Sequence, residues 1–478
     1  MLWLCISLPQ LALEALRSDE GHAPVVVTDC EANARWIIAC NETAERAGMK
    51  VGMAYATALA IRSDIAMFER KPQAERAALE RLAAWAYQFS STIVIGEAPR
   101  ELRRARTAAL WLEIGASLKL FGGFRKLIEQ LEAALAQLQY TYQLGIAPTL
   151  EGAALLSRAG IRVALTTTEA LQKRIRELSV NRLALPTEVI DKLAMVGIRT
   201  IGATLDIPRE AIAKRFGVEA CNYLDRLIGA AADPRETFKL PPAYTARFEF
   251  GFEINGTEAL LFPLRRMLRE FSGFLTARDT GTQRFKLTFV HRDAEPTELK
   301  IGLSMPDRSS DRFFEVVREQ LERVALPAPT TELVLSAHEF AAPTALQTDL
   351  LHRRLEQHEP LSHTIDRIAA RVGEEHVYGL RLAADHRPEA SWKKVTSDSS
   401  SSPSLRFPDR PLWLLPTPKL LGSSALPVLS GPERIESGWW DDHDVQRDYY
   451  VVRTNAGADL WVFKDLRDSQ WYLHGFWS

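Results

Sequence analysis

The stretch that most constrains the fold lies near the end of the first quarter of the chain. Residues 108–114 (AALWLEI) form a short apolar run of β-forming side chains, which is typical of a buried strand. A Phe-Gly-Gly turn at 121–123 follows, then a helical pattern over 124–139 and a second apolar run at 144–148. A strand, a turn, a helix and a strand in this order predict an α+β sheet domain.

Composition excludes several classes of protein. The 478 residues are 46% hydrophobic and 25% charged, and the formal net charge of −2 shows no overall basic character that would attract nucleic acid. The cysteines (Cys5, Cys30, Cys40, Cys221) show no C-x-x-C spacing, so neither a zinc site nor a disulfide framework is predicted. The apolar runs are too short to span a membrane, and a signal peptide is not recognisable. We expect a cytoplasmic protein without membrane association.

The strand at 108–114 resembles the corresponding strand of the Y-family (translesion) DNA polymerases. In that family it reads Ser-Ile-Asp-Glu-Ala-Tyr-Leu-Asp-Ile, and the Asp-Glu pair holds catalytic metal. Ala108 and Ala109 stand at those two positions, and Cys5 stands at the aspartate of the first strand. Two-metal nucleotidyl transfer needs hard carboxylate oxygens around Mg²⁺, which alanine lacks and a lone cysteine supplies poorly. The resemblance therefore implies a polymerase-like fold without catalytic residues, metal or cofactor.

Other family positions are replaced as well. Glu42 and Glu45 stand where the family has the Tyr and Arg that hold the triphosphate, and carboxylates there would repel it. Leu150 and Ala154 replace two lysines near the polymerase site, and Gln10 replaces the aromatic residue that excludes ribonucleotides. These replacements favour a site that no longer binds nucleotide.

The resemblance implies a right hand of palm and fingers, helical thumb and little finger, followed by a β-rich C-terminal module. The predicted segments are palm and fingers over 1–165, thumb over 166–238, little finger over 239–343, a clamp-binding peptide over 344–352, a helical segment over 353–395, a Ser-rich linker over 396–409 and a partner-interaction module over 410–478.

The thumb and little finger supply the candidate DNA contacts. Residues 196–202 (VGIRTIG) match a turn of the family's thumb, where backbone N–H groups can bind phosphate. The candidates are Gly197, Arg199 and Gly202 in the thumb, and Arg265, Arg266, Arg269, Arg284 and Lys286 in the little finger. The little-finger residues could share one basic face or belong to a mixed-charge surface. Because 13 Lys and Arg stand against 15 Asp and Glu between 241 and 342, we expect weak, non-specific DNA binding.

A short peptide directly behind the little finger predicts a contact with the sliding clamp. Residues 346–351 (LQTDLL) resemble the motif by which bacterial polymerases bind that clamp, with Gln347, Asp349, Leu350 and Leu351 as contacts. Such a peptide docks a glutamine and apolar side chains into a preformed pocket. The alternative is one turn of an amphipathic helix.

The C-terminal region is rich in aromatic residues. Its motifs 435–441 (IESGWWD), 447–450 (RDYY) and 460–463 (LWVF) resemble the tail of the catalytically inactive Y-family-like subunits of bacterial mutagenesis complexes. That resemblance implies an adaptor for damage-induced (SOS) translesion synthesis and mutagenesis, associated with the nucleoid during damage. It would link the sliding clamp to an error-prone C-family DNA polymerase and a RecA-like accessory protein. The aromatic side chains could be interface anchors or core.

Two other functions stay open from the residues alone. An active low-fidelity polymerase could recruit metal through Glu113 or Glu14, although alternation places Glu113 on the face of only one former ligand position. A DNA-binding repair factor without partners would fit poorly with the acidic balance.

Overall fold

A computed structural model describes residues 1–16, 23–31, 34–96, 107–342, 361–395, 409–422 and 427–477. The chain divides into two compact units, Met1–Arg371 and Val372–Ser478. No helix in these ranges is long and apolar enough to cross a membrane. The prediction of an α+β protein with a β-rich C-terminal region is confirmed.

The palm region holds one four-stranded sheet and one three-stranded sheet. Its elements are β1 (Trp3–Leu8), α1 (Leu11–Glu14), β2 (Val25–Glu31), β3 (Ala34–Cys40), α2 (Glu42–Arg46), α3 (Tyr55–Ile61), β4 (Ala66–Glu69), α4 (Pro72–Ala86), β5 (Ile93–Gly96), β6 (Ala108–Glu113), α5 (Phe124–Leu138), β7 (Gln143–Ala147) and α6 (Leu150–Arg158). The larger sheet has the order β5-β6-β1-β7, and the smaller has the order β3-β2-β4.

Both faces of the larger palm sheet are covered, because successive residues of a strand point to opposite sides. Leu4, Ile6 and Leu110 pack in a cluster with residues of α4 and α5. Cys5 and Trp111 belong to a second cluster on the other face, with residues of α6. Helix α6 lies so close to β7 that a Cβ at Gly145 would be 2.2 Å from the Ala153 carbonyl oxygen.

The thumb region is helical. Its helices are α7 (Thr168–Ile175), α8 (Thr187–Met195), α9 (Ile201–Leu205), α10 (Arg209–Phe216) and α11 (Val218–Ile228). Their buried residues join the cluster that contains Cys5, so the thumb helices and this face of the palm share one core.

The little finger is a four-stranded antiparallel sheet with two helices, as the alternation in its sequence predicts. Its elements are β8 (Tyr244–Ile254), α12 (Leu261–Ala277), β9 (Thr282–His291), β10 (Thr297–Asp307), α13 (Ser310–Leu321) and β11 (Thr330–Ala337). The strand order is β10-β9-β11-β8.

The segment predicted as helical over 353–395 is only partly helical. Helix α14 (Leu361–Val372) joins the first unit, because buried Asp366 pairs with Arg312 and Ala370 packs in the little-finger core. Strands β12 (Gly379–Leu382) and β13 (Trp392–Val395) then form a two-stranded sheet. The side chains of both strands are mostly exposed. The hairpin therefore lacks the alternation of apolar and polar residues by which a strand is recognised in a sequence.

The second unit contains a five-stranded antiparallel sheet. Its strands are β14 (Trp413–Leu421), β15 (Val428–Ser437), β16 (Val445–Arg453), β17 (Asp459–Asp465) and β18 (Trp471–Phe476), in the order β14-β18-β17-β16-β15. Tyr449 and Trp461 are core residues, stacked with ring centroids 4.2 Å apart. In contrast, Trp439 and Trp440 are 80% and 59% exposed. Tyr449 and Trp461 thus follow the core alternative, and Trp439 and Trp440 are exposed.

Candidate functional site

The positions predicted to correspond to the family's metal ligands lie on adjacent antiparallel strands of the palm. Ser7 of β1 pairs with Ala109 of β6, and Cys5 pairs with Trp111, so these four side chains face the same side of the sheet. Cys5 and Ala109 are 0% and 5% exposed. Ala108 is half-buried and packs against the cluster on the opposite face. The geometry thus brings Cys5 and Ala109 onto one face, which is buried.

This face of the sheet is packed with apolar side chains, among which Cys5, Ser7 and Ser157 form a short series of polar contacts. Burial raises the pKa of the Cys5 thiol to about 12, so it stays protonated at neutral pH and is not a thiolate. Its sulfur lies 3.7 Å from the Ser7 hydroxyl, which accepts a hydrogen bond of 2.7 Å from Ser157. The indole of Trp111 donates to the Leu150 carbonyl oxygen at 2.9 Å. These hydrogen bonds hold α6 against the face of β1 and β6 on which metal-binding carboxylates would have to lie.

The substitute ligands considered for an active polymerase are engaged elsewhere. Glu113 accepts hydrogen bonds from the backbone N–H groups of Leu2, Gly115 and Ala116 at 2.9–3.2 Å. It lies four residues from Ala109 along β6, about 13 Å at 3.3 Å per residue. Glu14 accepts from the Thr141 backbone N–H at 2.8 Å. Among the residues that the structure describes, no group of three or more His, Cys, Asp and Glu could hold a metal ion.

The other replaced positions have structural surroundings of their own. Glu42 and Arg46 form an exposed ion pair on α2. Burial, together with Glu45, raises the pKa of Cys40 to about 11. Leu150 and Ala154 are buried in the shared core of palm and thumb, so the positions where the family has lysines are occupied here by packing residues.

In the thumb, the backbone amide of the predicted phosphate contact Gly202 is hydrogen-bonded within the protein. The turn after α8 has Gly197 at φ +81° and an exposed Arg199, as a helix-hairpin-helix requires. However, the N–H groups of Ile201 and Gly202 donate to the carbonyl oxygens of Leu178 and Arg176, at 2.8 and 2.9 Å. The first amides of α9 are therefore satisfied within the protein and do not offer donors to a phosphate.

The candidate basic residues of the little finger do not share one exposed face. Arg266 is 7% exposed, and its guanidinium stacks 3.6 Å from the Tyr140 ring centroid, so it cannot lie on a DNA-facing surface. Arg265 is exposed on α12, and its guanidinium lies over Phe314 of α13. Arg284 and Lys286 alternate in β9 with the core residues Phe285 and Leu287, and therefore point away from the helices.

Sequence reasoning missed the buried polar network between palm and little finger. Glu270 is 1% exposed, accepts from Arg81 of α4 at 2.8 Å, and accepts from the Tyr140 hydroxyl at 3.0 Å. A glutamate inside the otherwise apolar pattern of α12 is the signal that could have indicated it. The predicted clamp contacts Gln347, Asp349, Leu350 and Leu351 lie outside the described residues.

Comparisons with known proteins agree with the family resemblance. The sequence model of the impB/mucB/samB family matches residues 12–158. Protein ImuB of Caulobacter vibrioides strain NA1000 / CB15N is 28% identical over 470 residues, which cover 90% of this chain and 100% of the relative. ImuB of strain ATCC 19089 / CIP 103742 / CB 15 gives the same values.

Among solved structures, DinB from Sulfolobus solfataricus is 14% identical with a TM-score of 0.40, covering 72% of this chain and 100% of that one. An insertion ternary complex of Dbh DNA polymerase is 14% identical with a TM-score of 0.40, covering 70% and 98%.

Proposed function

We propose that this chain, an ImuB-like protein that carries an impB/mucB/samB domain, is a non-catalytic adaptor in damage-induced translesion synthesis and mutagenesis. It links the sliding clamp to an error-prone C-family DNA polymerase and a RecA-like accessory protein, and it binds DNA weakly and without base specificity. It acts in the cytoplasm, at the nucleoid, during the damage response. The likeness to ImuB confirms the resemblance predicted from the sequence, and a polymerase-related role follows from the family match.

One observation carries the non-catalytic part of the proposal. The palm face that would hold two metal ions presents Cys5, Ser7, Ala109 and Trp111, covered by α6. Nucleotidyl transfer by two metals requires carboxylate oxygens that hold the two ions about 3.5–4 Å apart, beside the attacking and leaving oxygens. The rival function, an active low-fidelity polymerase, would need Glu113 to release three backbone N–H groups.

Primer extension tests this part. The purified full-length chain is incubated with a primed template, deoxynucleotides and Mg²⁺ or Mn²⁺, beside a reaction without protein and one with an active Y-family polymerase. We expect no extension above the protein-free reaction. Template-dependent incorporation would overturn the proposal.

A restored variant makes the test stronger. The triple change Cys5→Asp, Ala108→Asp and Ala109→Glu returns the family's carboxylates, yet we expect it to remain inactive because Glu42 and Glu45 still repel a triphosphate. Extension by this variant alone would show that the missing carboxylates were the sole barrier.

The adaptor part is supported by the exposed aromatic pair of the second unit. Trp439 and Trp440 are side chains of the kind that anchor protein interfaces when they are exposed together. Co-purification of the C-family polymerase and the RecA-like protein with the full chain tests this. Trp439→Ala with Trp440→Ala should reduce capture of at least one of them, while Trp413→Ala, at another exposed tryptophan, serves as the matched control. Undiminished capture of both would contradict the assignment of this pair.

A further inference from the structure

An open groove of about 440 Å³ lies on the helical side of the little finger, between α12 and α13. Arginines supply its charge: Arg265 and Arg269 from α12, and Arg318 from α13. Phe262, which is 39% exposed, supplies an aromatic surface. The predicted DNA contacts Arg284 and Lys286 lie on the far side of the sheet, so this groove is a separate basic site.

The groove concentrates positive charge from three arginines, of which Arg269 is partly offset by the carboxylate of Asp311. Most buried arginines in the chain pair with carboxylates, as Arg81 does with Glu270. In contrast, no ion pair within 4.0 Å joins Arg265, Arg269 or Arg318 to any carboxylate among the described residues. Arg269 donates instead to the Gln137 carbonyl oxygen, and burial together with Arg265 lowers its pKa. Arg265 and Arg269 therefore repel each other, and an anion in the groove would relieve that repulsion.

A fourth arginine, Arg266, borders this groove as a buried side chain. The Arg266 side chain is 8% exposed, and its Nε and Nη1 lie 3.5 and 3.4 Å from Glu270 and from the Glu14 carbonyl oxygen. Its Nη2 atom is buried and has no hydrogen-bond partner. Because Nη2 is shielded from solvent, Arg266 lies beneath the groove and does not itself contact a ligand there.

We infer that this groove binds the sugar–phosphate backbone of single-stranded DNA. Phosphate oxygens would accept from Arg265, Arg269 and Arg318, since the planar guanidinium matches phosphate geometry. An unstacked base would lie on Phe262, as bases do on aromatic side chains in single-strand binding sites. The exposed ring of Phe262 beside the arginines favours a single strand over a duplex, because the bases of a duplex are stacked on one another and are not free to lie on a side chain. The inference rests on the proposed function, in which the chain works on DNA.

A phosphodiester strand fits better than an acidic peptide, which is the competing ligand. The groove places arginine guanidinium groups beside the exposed ring of Phe262. A single strand of DNA offers a phosphate and a base at every nucleotide. A peptide would match this only where acidic and apolar side chains alternate in one register.

Fluorescence anisotropy of the full-length chain with a short labelled oligothymidylate tests the inference, with a poly-glutamate peptide as the competing probe. The variant Arg265→Ala, Arg269→Ala, Arg318→Ala should lose at least about tenfold in affinity for the oligonucleotide. The slope of log K against log salt should become shallower by about 2, at about 0.7 for each lost phosphate contact. Phe262→Ala should weaken binding about fivefold or more through lost stacking.

Matched variants keep the test decisive. Arg125→Ala with Arg292→Ala, at exposed arginines that pair with Glu129 and Glu253 away from the groove, should leave the salt slope unchanged. Arg318→Glu changes one exposed side chain, and so keeps the test available if the triple variant unfolds. Circular dichroism and thermal melting show whether each variant is folded.

The outcomes separate this inference from the proposed function. If the wild-type chain binds the oligonucleotide and the folded groove variants bind equally well, the groove inference falls and the proposed function stands. Tighter binding of poly-glutamate than of oligothymidylate would make the groove a peptide site and overturn the inference. If the wild-type chain binds no oligonucleotide even at low salt, the inference and the weak DNA binding both fall, while primer extension still judges the non-catalytic role.

Discussion

At the scale of single residues, the central palm strands place small and apolar side chains on a face that is buried. Ala109 faces a core made of Cys5, Trp111 and residues of α6. A carboxylate at that position would be removed from water among apolar side chains, which disfavours its charged form. Side chains alternate between the two faces of β6, and this alternation directs the methyl group of Ala109 into the apolar core.

We predict that Ala109→Asp lowers the free energy of unfolding by about 3 kcal/mol, the scale of an uncompensated buried charge. Ala108→Asp is the matched control, and it should have a smaller effect because Ala108 is half-buried on the opposite face. Urea denaturation of both variants measures the difference. Equal stability of Ala109→Asp and the wild type would mean that this face opens to solvent.

His474 makes the stability of the second unit depend on pH. It is 2% exposed, its Nδ1 lies 2.8 Å from the Tyr449 hydroxyl, and burial lowers its pKa from 6.5 to about 4. The folded state therefore binds fewer protons than the unfolded state between these values. The contribution to stability is complete above pH 6.5 and is lost as the pH falls towards 4, and it amounts to about 3 kcal/mol.

We predict that unfolding of the second unit, followed by tryptophan fluorescence through Trp461 beside His474, becomes easier from pH 6.5 to 4. His474→Gln should flatten this pH dependence because the side chain no longer titrates. His443→Gln, at an exposed histidine of the same unit, should preserve it. An unchanged profile in His474→Gln would show that another group titrates.

At the scale of elements, helix α12 connects the little finger to the palm. A Cβ at Gly273 would be 2.2 Å from Trp85, so glycine allows α12 to approach α4 closely. Beside this contact, Arg81 and Glu270 form a buried ion pair, to which the Tyr140 hydroxyl donates. Because each charge is desolvated, the pair holds the two elements together only while both partners are present.

We predict that Glu270→Ala lowers the free energy of unfolding by about 3–5 kcal/mol, since it leaves Arg81 buried and unpaired. Glu129→Ala breaks the exposed pair between Arg125 and Glu129 on α5, and should change it by less than about 0.5 kcal/mol. Chemical denaturation compares the two variants. Similar small losses would show that the network is open to water.

At the scale of the whole molecule, the protein is two compact units with a predicted clamp peptide in the stretch between α14 and the little-finger sheet. An adaptor works by raising the local concentration of its partners at a primer end, which requires attachment rather than chemistry. The clamp peptide is therefore the feature on which the proposed function most depends.

We predict that Gln347→Ala with Leu350→Ala and Leu351→Ala abolishes clamp capture and damage-induced mutagenesis. Each fully buried leucine contributes about 1.5–3 kcal/mol, a large share of the affinity of a short peptide. Thr348→Ala is the matched control within the peptide and should retain capture. A clamp pull-down beside circular dichroism measures both properties. Retained capture would place the tether in another segment, and a collapsed spectrum would mean that these leucines are core.

The sequence alone determined the elements whose signals are local. The strand at 108–114, the helix after the Phe-Gly-Gly turn and the β-rich tail follow from short-range periodicity, and the absence of carboxylates at Cys5, Ala108 and Ala109 is a matter of residue type. The tertiary structure decided which side chains reach solvent. Arg266 and Arg265 are neighbours on α12, yet one is buried against Tyr140 and the other lines an open groove. Arg81 and Glu270 form a buried ion pair although they are 189 positions apart in the sequence. The backbone N–H of Gly202 donates to the carbonyl oxygen of Arg176, so it is not free for a ligand. The exposure of a residue and its hydrogen-bond partners depend on which distant segment packs against it. The periodicity of a single helix or strand does not indicate which segment that is.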